Sequence, residues 1–354
     1  MPTFEIAGRA IGPDFQPYVI AELSANHGQD FAQALAIVRA AAGAGADAIK
    51  LQTYTADTLT IASDREDFRI GKGTIWEGRT LHDLYGEAFT PWDWQPRLKA
   101  EAEALGLHCF SSPFDLTAVE FLERMNMPAY KIASFEIVDL PLIRRAAATG
   151  KPLIISTGMA SREEIGEAVQ AARDGGASQV ALLKCTSAYP AREEVMNLRT
   201  IPDLARSFEA AVGLSDHTLG IAVPVAAVAL GACIIEKHLT LSRATPGPDS
   251  AFSLEPAEFK QMVAAVRSAW AALGAVSYDS TPDEAATRVF RRSLYAVQDI
   301  RAGDLFTTEN VRSIRPGYGL PPKHLDAILG ATAARDIGRG EPLGWELVTP
   351  PRSA

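Results

Sequence analysis

At 354 residues, with 47% hydrophobic and 22% charged side chains, the chain is too long for one average domain and too apolar to be disordered. Its net charge of −9 argues against nucleic acid as a partner, although a few local lysines can still hold an anionic small substrate. The first residues lack a basic region followed by an apolar run, and no stretch approaches the roughly 18 apolar residues of a membrane helix. No signal peptide and no membrane association are therefore expected, and the cytoplasm is the expected compartment.

Eight short apolar runs follow one another along the chain. YVIAELSAN, starting at Tyr18, is the first; DAIKLQT, LHCFSSP, AYKIAS, PLIISTG, QVALLKCT, AAVGLSDHT and CIIEKHLT follow. Each is nearly continuous in apolar residues, as parallel strands buried on both faces are. Between most of them lies an Ala-rich amphipathic stretch such as FAQALAIVRAAAGAGA or REEIGEAVQAARDGGA, and several end in glycine, which suits a helix C-terminus. The alternation predicts an α/β fold, a (β/α)8 TIM barrel over residues 1–274. A doubly wound open sheet is the alternative, but no G-x-G-x-x-G follows the first strand.

One connection is long. Residues 54–94 carry Trp76, Tyr85, Trp92 and Trp94 and leave the C-terminal end of the second strand, where long loops usually serve function. The helical pattern stops near Ala275; residues 275–289 read as a polar linker and 290–354 as a small, turn-rich domain with short β runs. Cys109, Cys185 and Cys233 lie far apart in apolar runs and read as buried reduced thiols.

Polar side chains end most of the runs, and a barrel gathers its strand ends into one pocket. Glu22 and Asn26 follow the first strand, Lys50 and Gln52 lie on the second, and Ser111 and Ser112 on the third. Lys131, Ser134 and Glu136 lie on or after the fourth, and Ser156 and Thr157 end the fifth. The sixth ends in Lys184, Thr186, Ser187 and Tyr189, the seventh in Ser215, Asp216 and His217, and the eighth in Glu236, Lys237 and His238. Singly, such a serine is as readily structural, such a lysine as readily paired, and such a histidine as readily a hydrogen-bonded core residue. Together they are costly in a buried sheet unless a site uses them. Lysines with a ring of hydroxyls suit phosphate and carboxylate groups. His217 and His238, each at the end of an apolar strand, suit a divalent metal acting as a Lewis acid. The stretch RATPGPDSAFSL follows and adds Asp249.

IAELSANHGQD, AIKLQTY, FSSPFD, YKIASFEI, ISTGMAS, LLKCTSAYP, GLSDHT, IEKHLTL and TPGPDSAFSL, in that order, resemble the sialic acid synthase family, whose enzymes condense phosphoenolpyruvate with an N-acetylated amino sugar to give a nonulosonic acid. RRSLYAV and RPGYGL in the tail are similar to that family's antifreeze-like (SAF) domain. The resemblance implies C–C bond formation with C–O cleavage of phosphoenolpyruvate. It implies a metal on His217 and His238, foremost Mn2+, with Mg2+ or Co2+ as alternatives, because zinc more usually takes three or four protein ligands. Glu22 would stabilise the oxocarbenium ion and orient water. Lys50 and Lys131 would hold phosphoenolpyruvate, with Ser112, Ser134, Ser156, Ser187 and Ser215 donating hydrogen bonds. Gln52, Glu136, Tyr189 and Asp249 would touch the sugar. The family exchanges its tail between subunits of a homodimer, which would bring Arg315 and Phe290 to the acetamido end of the sugar in the partner's pocket.

Three features are similar to the pseudaminic acid synthase branch, whose acceptor is 2,4-diacetamido-2,4,6-trideoxy-L-altrose: ELSANH rather than EIGxNH, CTSAYP rather than CTNxYP, and GTIWEGRTLHDLYGEAFTPWDW. Ser187 is the sharpest departure from the N-acetylneuraminate form, where Asn is usual. Synthesis of N-acetylneuraminate or legionaminate is the alternative. Two rivals come from other classes. A class II aldolase using pyruvate would share the metal but need no phosphate-binding lysines. An inactive barrel would leave the tail as a binding module.

Overall fold

Eight parallel strands close on themselves in the first of two units, Met1–Gly274 and Ala275–Ala354; the computed structural model describes residues 3–349. A hairpin of β1 (Phe4–Ile6) and β2 (Arg9–Ile11) precedes the barrel. The barrel strands are β3 (Tyr18–Glu22), β4 (Ala48–Thr53), β5 (His108–Pro113), β6 (Tyr130–Ile132), β7 (Leu153–Ser156), β8 (Val180–Cys185), β9 (Ala211–Asp216) and β10 (Ile234–His238). β10 pairs with both β9 and β3, which closes the ring and excludes the doubly wound sheet.

The helices between strands begin and end where their caps dictate. Asp30 accepts from the amides of Ala32 and Gln33 to start Phe31–Ala44, and Gly45 ends it in a left-handed conformation with φ 85. Ser161 and Glu164 form a capping box on Arg162–Asp174. Their buried faces meet the outward-facing strand residues, among them Val19, Ala21, Ile49, Leu51, Ile155, Leu182, Leu214 and Ile235, in the main core.

Strand residues alternate between the two faces, so the partners of the outward set point into the barrel. Tyr18, Ile20, Ala48, Phe110, Ile154, Leu183 and Ile234 fill the interior and pack with Phe4, Ile6 and Ile11 of the hairpin. FEIAGRAI therefore forms an apolar plug, a feature not expected from the sequence. Its alternation is only three residues long on each side of a turn at Gly8 (φ 83). Further along the strands the same alternation divides the polar ends. Glu22, Lys50, Ser112, Lys131, Ser156, Ser215 and Glu236 share the inward parity, whereas Ser111, Lys184, Asp216 and Lys237 point toward the helices. Lys237 is fully buried and donates to Asp216, so that pair is structural.

The long connection forms helices Ala56–Leu59 and Leu81–Ala88, joined in part by a bridge between Arg69 and Thr80. Trp92 and Trp94 pack on the barrel flank, against Phe121 and against His27 and Phe31. Trp76 instead lies 5.5 Å, ring to ring, from Tyr189, with its indole N–H donating to the Pro248 carbonyl at 3.0 Å.

In the second unit, helix Pro282–Thr287 occupies part of the stretch expected as linker. Two short hairpins follow, β11 (Ser293–Ala296) with β12 (Val311–Ile314) and β13 (Thr332–Ala333) with β14 (Val348–Thr349). Leu294, Ile300, Phe306, Val311, Ile328, Ile337 and Leu343 form its own core. Among the described residues no helix is long and apolar enough to cross a membrane.

Candidate active site

Above the apolar interior, the inward positions of the eight strands turn polar together. In chain order they are Glu22, Lys50, Ser112, Lys131, Ser156, Cys185, Ser215 and Glu236, all buried. Lys50 Nζ lies 2.6 Å from Glu22 Oε2 and 3.7 Å from Glu236 Oε1, and donates to Ser112 Oγ at 3.3 Å. Lys131 Nζ lies 3.4 Å from the same Glu236 oxygen and donates to Ser156 Oγ at 2.7 Å. Ser215 Oγ donates to Glu236 Oε1 at 3.0 Å, and Gln52 Nε2 donates to Glu22 Oε1 at 3.0 Å.

Burial and charge set the protonation of this layer. Burial pushes the Glu22 carboxyl up to about 7; Lys50 opposes the shift and Glu236 adds to it. Burial would raise Glu236 as well, but Lys131 and Lys50 outweigh it and hold that carboxyl below its ordinary range. Burial lowers Lys131, whereas on Lys50 the two glutamates overcome burial and raise it. Glu136, in the turn Ser134–Glu136, is pushed up to about 7 by burial.

The outer tier is mixed. Ser134 Oγ accepts from the Gly158 amide at 3.1 Å, and a Cβ on Gly158 would run into the Ser134 and Ser187 hydroxyls, so only glycine fits there. Tyr189 stacks on His217 at 4.4 Å between ring centroids and on Phe252 at 5.1 Å. Asp249 is half-buried and accepts from the Ser24 hydroxyl and, at 3.3 Å, from the Ala25 amide; desolvation raises its carboxyl. Ser24, just past the strand that ends in Glu22, ties this turn residue to the pocket and also accepts from Gln52 at 3.4 Å.

His217 and His238 face each other with ring centroids 5.4 Å apart. His217 Nδ1 donates to the Thr186 carbonyl at 3.1 Å, so Nε2 is the nitrogen left for a cation; burial would lower this ring, but Cys185 and that carbonyl outweigh it and raise it, so a cation binding there displaces a proton. Burial, with His217 nearby, keeps His238 well below its ordinary range and so neutral, and its buried Nδ1 has no partner among the described residues. A neutral, unpartnered imidazole beside a second imidazole is donor chemistry for a divalent cation. Among the described residues no group of three or more His, Cys, Asp or Glu converges as a ligand set. The two imidazoles therefore fit a cation that keeps its other positions open to water or substrate.

Cys185 was not expected here. Its inward parity places Sγ 3.9 Å from both His217 Nδ1 and Ser187 Oγ. Burial would raise the thiol, but His217 outweighs it and brings it down to about 7. Counting alternate residues from Leu183 would have found Cys185 and set Lys184 aside. The histidine of ELSANH, His27, is structural: it is buried, accepts from the Gln29 amide at 3.1 Å, and pairs with Thr90 Oγ1 at 3.2 Å. Phe290 and Arg315 lie in the second unit, where both line a cleft of about 550 Å³ with Arg288, Arg291 and Arg292.

The family model described as NeuB matches residues 37–278, and that of the SAF domain matches residues 291–349. The chain is 48% identical to a pseudaminic acid synthase of Campylobacter jejuni over 93% of its length and 96% of the relative's. It is 35% identical to an N,N'-diacetyllegionaminic acid synthase of Legionella pneumophila over 95% of each. Among solved structures, an N-acetylneuraminic acid synthetase of Leptospira borgpetersenii in complex with citrate aligns at TM-score 0.72 with 31% identity, over 81% of this chain and 95% of that one. The chain thus belongs to the NeuB family, the sialic acid synthase family that its strand-end motifs resemble, and ends in a SAF domain.

Proposed function

We propose that the chain is a pseudaminic acid synthase, a transferase that condenses phosphoenolpyruvate with 2,4-diacetamido-2,4,6-trideoxy-L-altrose and water to give pseudaminic acid and phosphate. The observation that carries the chemistry is the inner layer itself: two buried lysines among hydroxyls, closed over by two imidazoles. The sugar is assigned from the higher identity to the pseudaminate enzyme, 48% against 35% for the legionaminate one.

In this mechanism the enol carbon attacks the sugar aldehyde, the new C–C bond forms, and the aldehyde oxygen takes a proton. An oxocarbenium ion develops at C2 of the pyruvyl unit. Water adds there with loss of a proton, and the tetrahedral intermediate expels phosphate as its C–O bond breaks. Lys50 and Lys131 hold the anionic groups of phosphoenolpyruvate, with Ser112, Ser134, Ser156, Ser187 and Ser215 as donors. Glu22, ionised, would stabilise the developing cation and orient water; its ion pair with Lys50 among the buried strand ends supports this role. Gln52, Glu136, Tyr189 and Asp249 would touch the sugar; the bonds of Gln52 to Glu22 and of Ser24 to Asp249, and the packing of Tyr189 on His217, support this. A divalent cation on His217 and His238, foremost Mn2+, with Mg2+ or Co2+ as alternatives, would supply Lewis-acid polarisation of the aldehyde. A cytoplasmic location belongs to the same proposal.

The test is a panel of the trideoxy diacetamido altrose, its legionaminate counterpart and N-acetylmannosamine, each with phosphoenolpyruvate and Mn2+. Mass spectrometry should find the pseudaminate product with stoichiometric phosphate. Turnover of N-acetylmannosamine alone overturns the sugar, and product from added pyruvate but none from phosphoenolpyruvate points to an aldolase.

A homodimer with exchanged tails is part of the proposal; Arg315 and Phe290, which share one cleft, would then reach the sugar together. Arg315→Ala and Glu22→Gln chains, each nearly inactive alone, should regain about a quarter of wild-type activity when mixed and reassociated, because mixed dimers hold one intact site. No recovery in verified mixed dimers sinks the exchange.

A further inference from the structure

We propose that Glu236 is an internal competitor for the substrate anion. It would hold the two lysines together in the empty pocket and weaken their grip on phosphate so that the product can leave. The proposal rests on Lys50 and Lys131 being the anion clamp.

One oxygen of Glu236, Oε1, lies 3.4 Å from Lys131 Nζ and 3.7 Å from Lys50 Nζ, and accepts from Ser215 at 3.0 Å. The other, Oε2, is buried and has no hydrogen-bond partner among the described residues. Glu22 takes the far side of Lys50 at 2.6 Å. Both lysines are thus already engaged by carboxylates before any ligand arrives. An arriving phosphate must share lysines already engaged by Glu236 and sit close to its charge. Like charges a few ångströms apart in a buried site repel strongly. A pocket selected only for tight anion binding would omit this acid, which also competes with the ligand for the Ser215 hydroxyl proton. The lysines that hold the phosphoryl group of the substrate also face the phosphate product, and binding both equally tightly would slow turnover. Glu236 therefore acts as a positioning residue whose charge trades affinity for release.

The experiment is calorimetric titration of inorganic phosphate into the chelator-treated full-length protein. Glu236→Gln keeps the size of the side chain and the Ser215 hydrogen bond while removing the charge. It should bind phosphate at least about tenfold more tightly than wild type. In turnover, its KM for phosphoenolpyruvate should fall, inhibition by phosphate should strengthen, and kcat should drop. Glu236→Asp withdraws the charge by one methylene and should tighten phosphate by a smaller factor, which keeps the test open if the glutamine variant does not fold. A merely structural role predicts weaker binding in both. Equal or weaker phosphate binding in a cooperatively folded variant overturns the proposal, as does an absence of phosphate binding in wild type and variant alike. Neither result touches the sugar assignment, which the product masses decide.

Discussion

Glu22→Gln is expected to lower kcat at least about a hundredfold while leaving the barrel folded, since it removes a charge needed only as the cation develops. The substitution keeps the shape of a fully buried side chain and a hydrogen-bonding partner for Gln52. What it removes is the negative charge 2.6 Å from Lys50. Because burial raises this carboxyl to about 7, the ionised form prevails only above neutrality. In wild type, kcat/KM should therefore rise with pH through the neutral range, and the variant should lose that limb. Unfolding cannot produce the same limb through this group. A carboxyl whose pKa is 4.5 when exposed and about 7 in the fold binds its proton more tightly when folded, so its contribution to stability declines as pH rises across that window. Steady-state rates and thermal melts across pH 5 to 9 separate the two effects. A loss below about tenfold with an unchanged profile would leave Glu22 a structural ion-pair partner.

The parts of this molecule that were legible in its sequence are those where the chemistry is dense. Eight apolar runs between amphipathic stretches allow little besides a closed parallel barrel, and each became a strand. The pocket followed because inward polar positions on every strand are too costly without a use. Three features escaped for physical reasons. The plug formed by Phe4, Ile6 and Ile11 rests on three-residue strands, too short to establish a period. Lys184, Asp216 and Lys237 looked like pocket residues because polar type was weighed without parity, although a one-residue step reverses the face. The placement of Trp76 against Tyr189, while Trp92 and Trp94 pack on the flank, depends on tertiary contacts of a loop without internal periodicity.

His238→Ala is expected to abolish tight Mn2+ binding and to lower turnover by more than about a hundredfold, and His217→Ala to do the same. The two rings differ in how they are held, which sharpens the expectation. His217 is oriented by its bond to the Thr186 carbonyl and is packed against Tyr189. Among the described residues His238 lacks a partner on its buried Nδ1, and it packs against the Phe252 and His217 rings at 5.0 and 5.4 Å between centroids. An unpartnered buried nitrogen is a standing cost, so His238→Ala should cost less stability than its buried volume suggests. A hydrogen-bonded core histidine would behave in the opposite way, costing stability and sparing turnover. Mn2+ titration followed by electron paramagnetic resonance, set beside phosphate release and denaturant melts, distinguishes the two. Coupled loss of binding and turnover in folded variants supports the cation site. Wild-type Mn2+ affinity with both imidazoles removed would exclude them as its ligands.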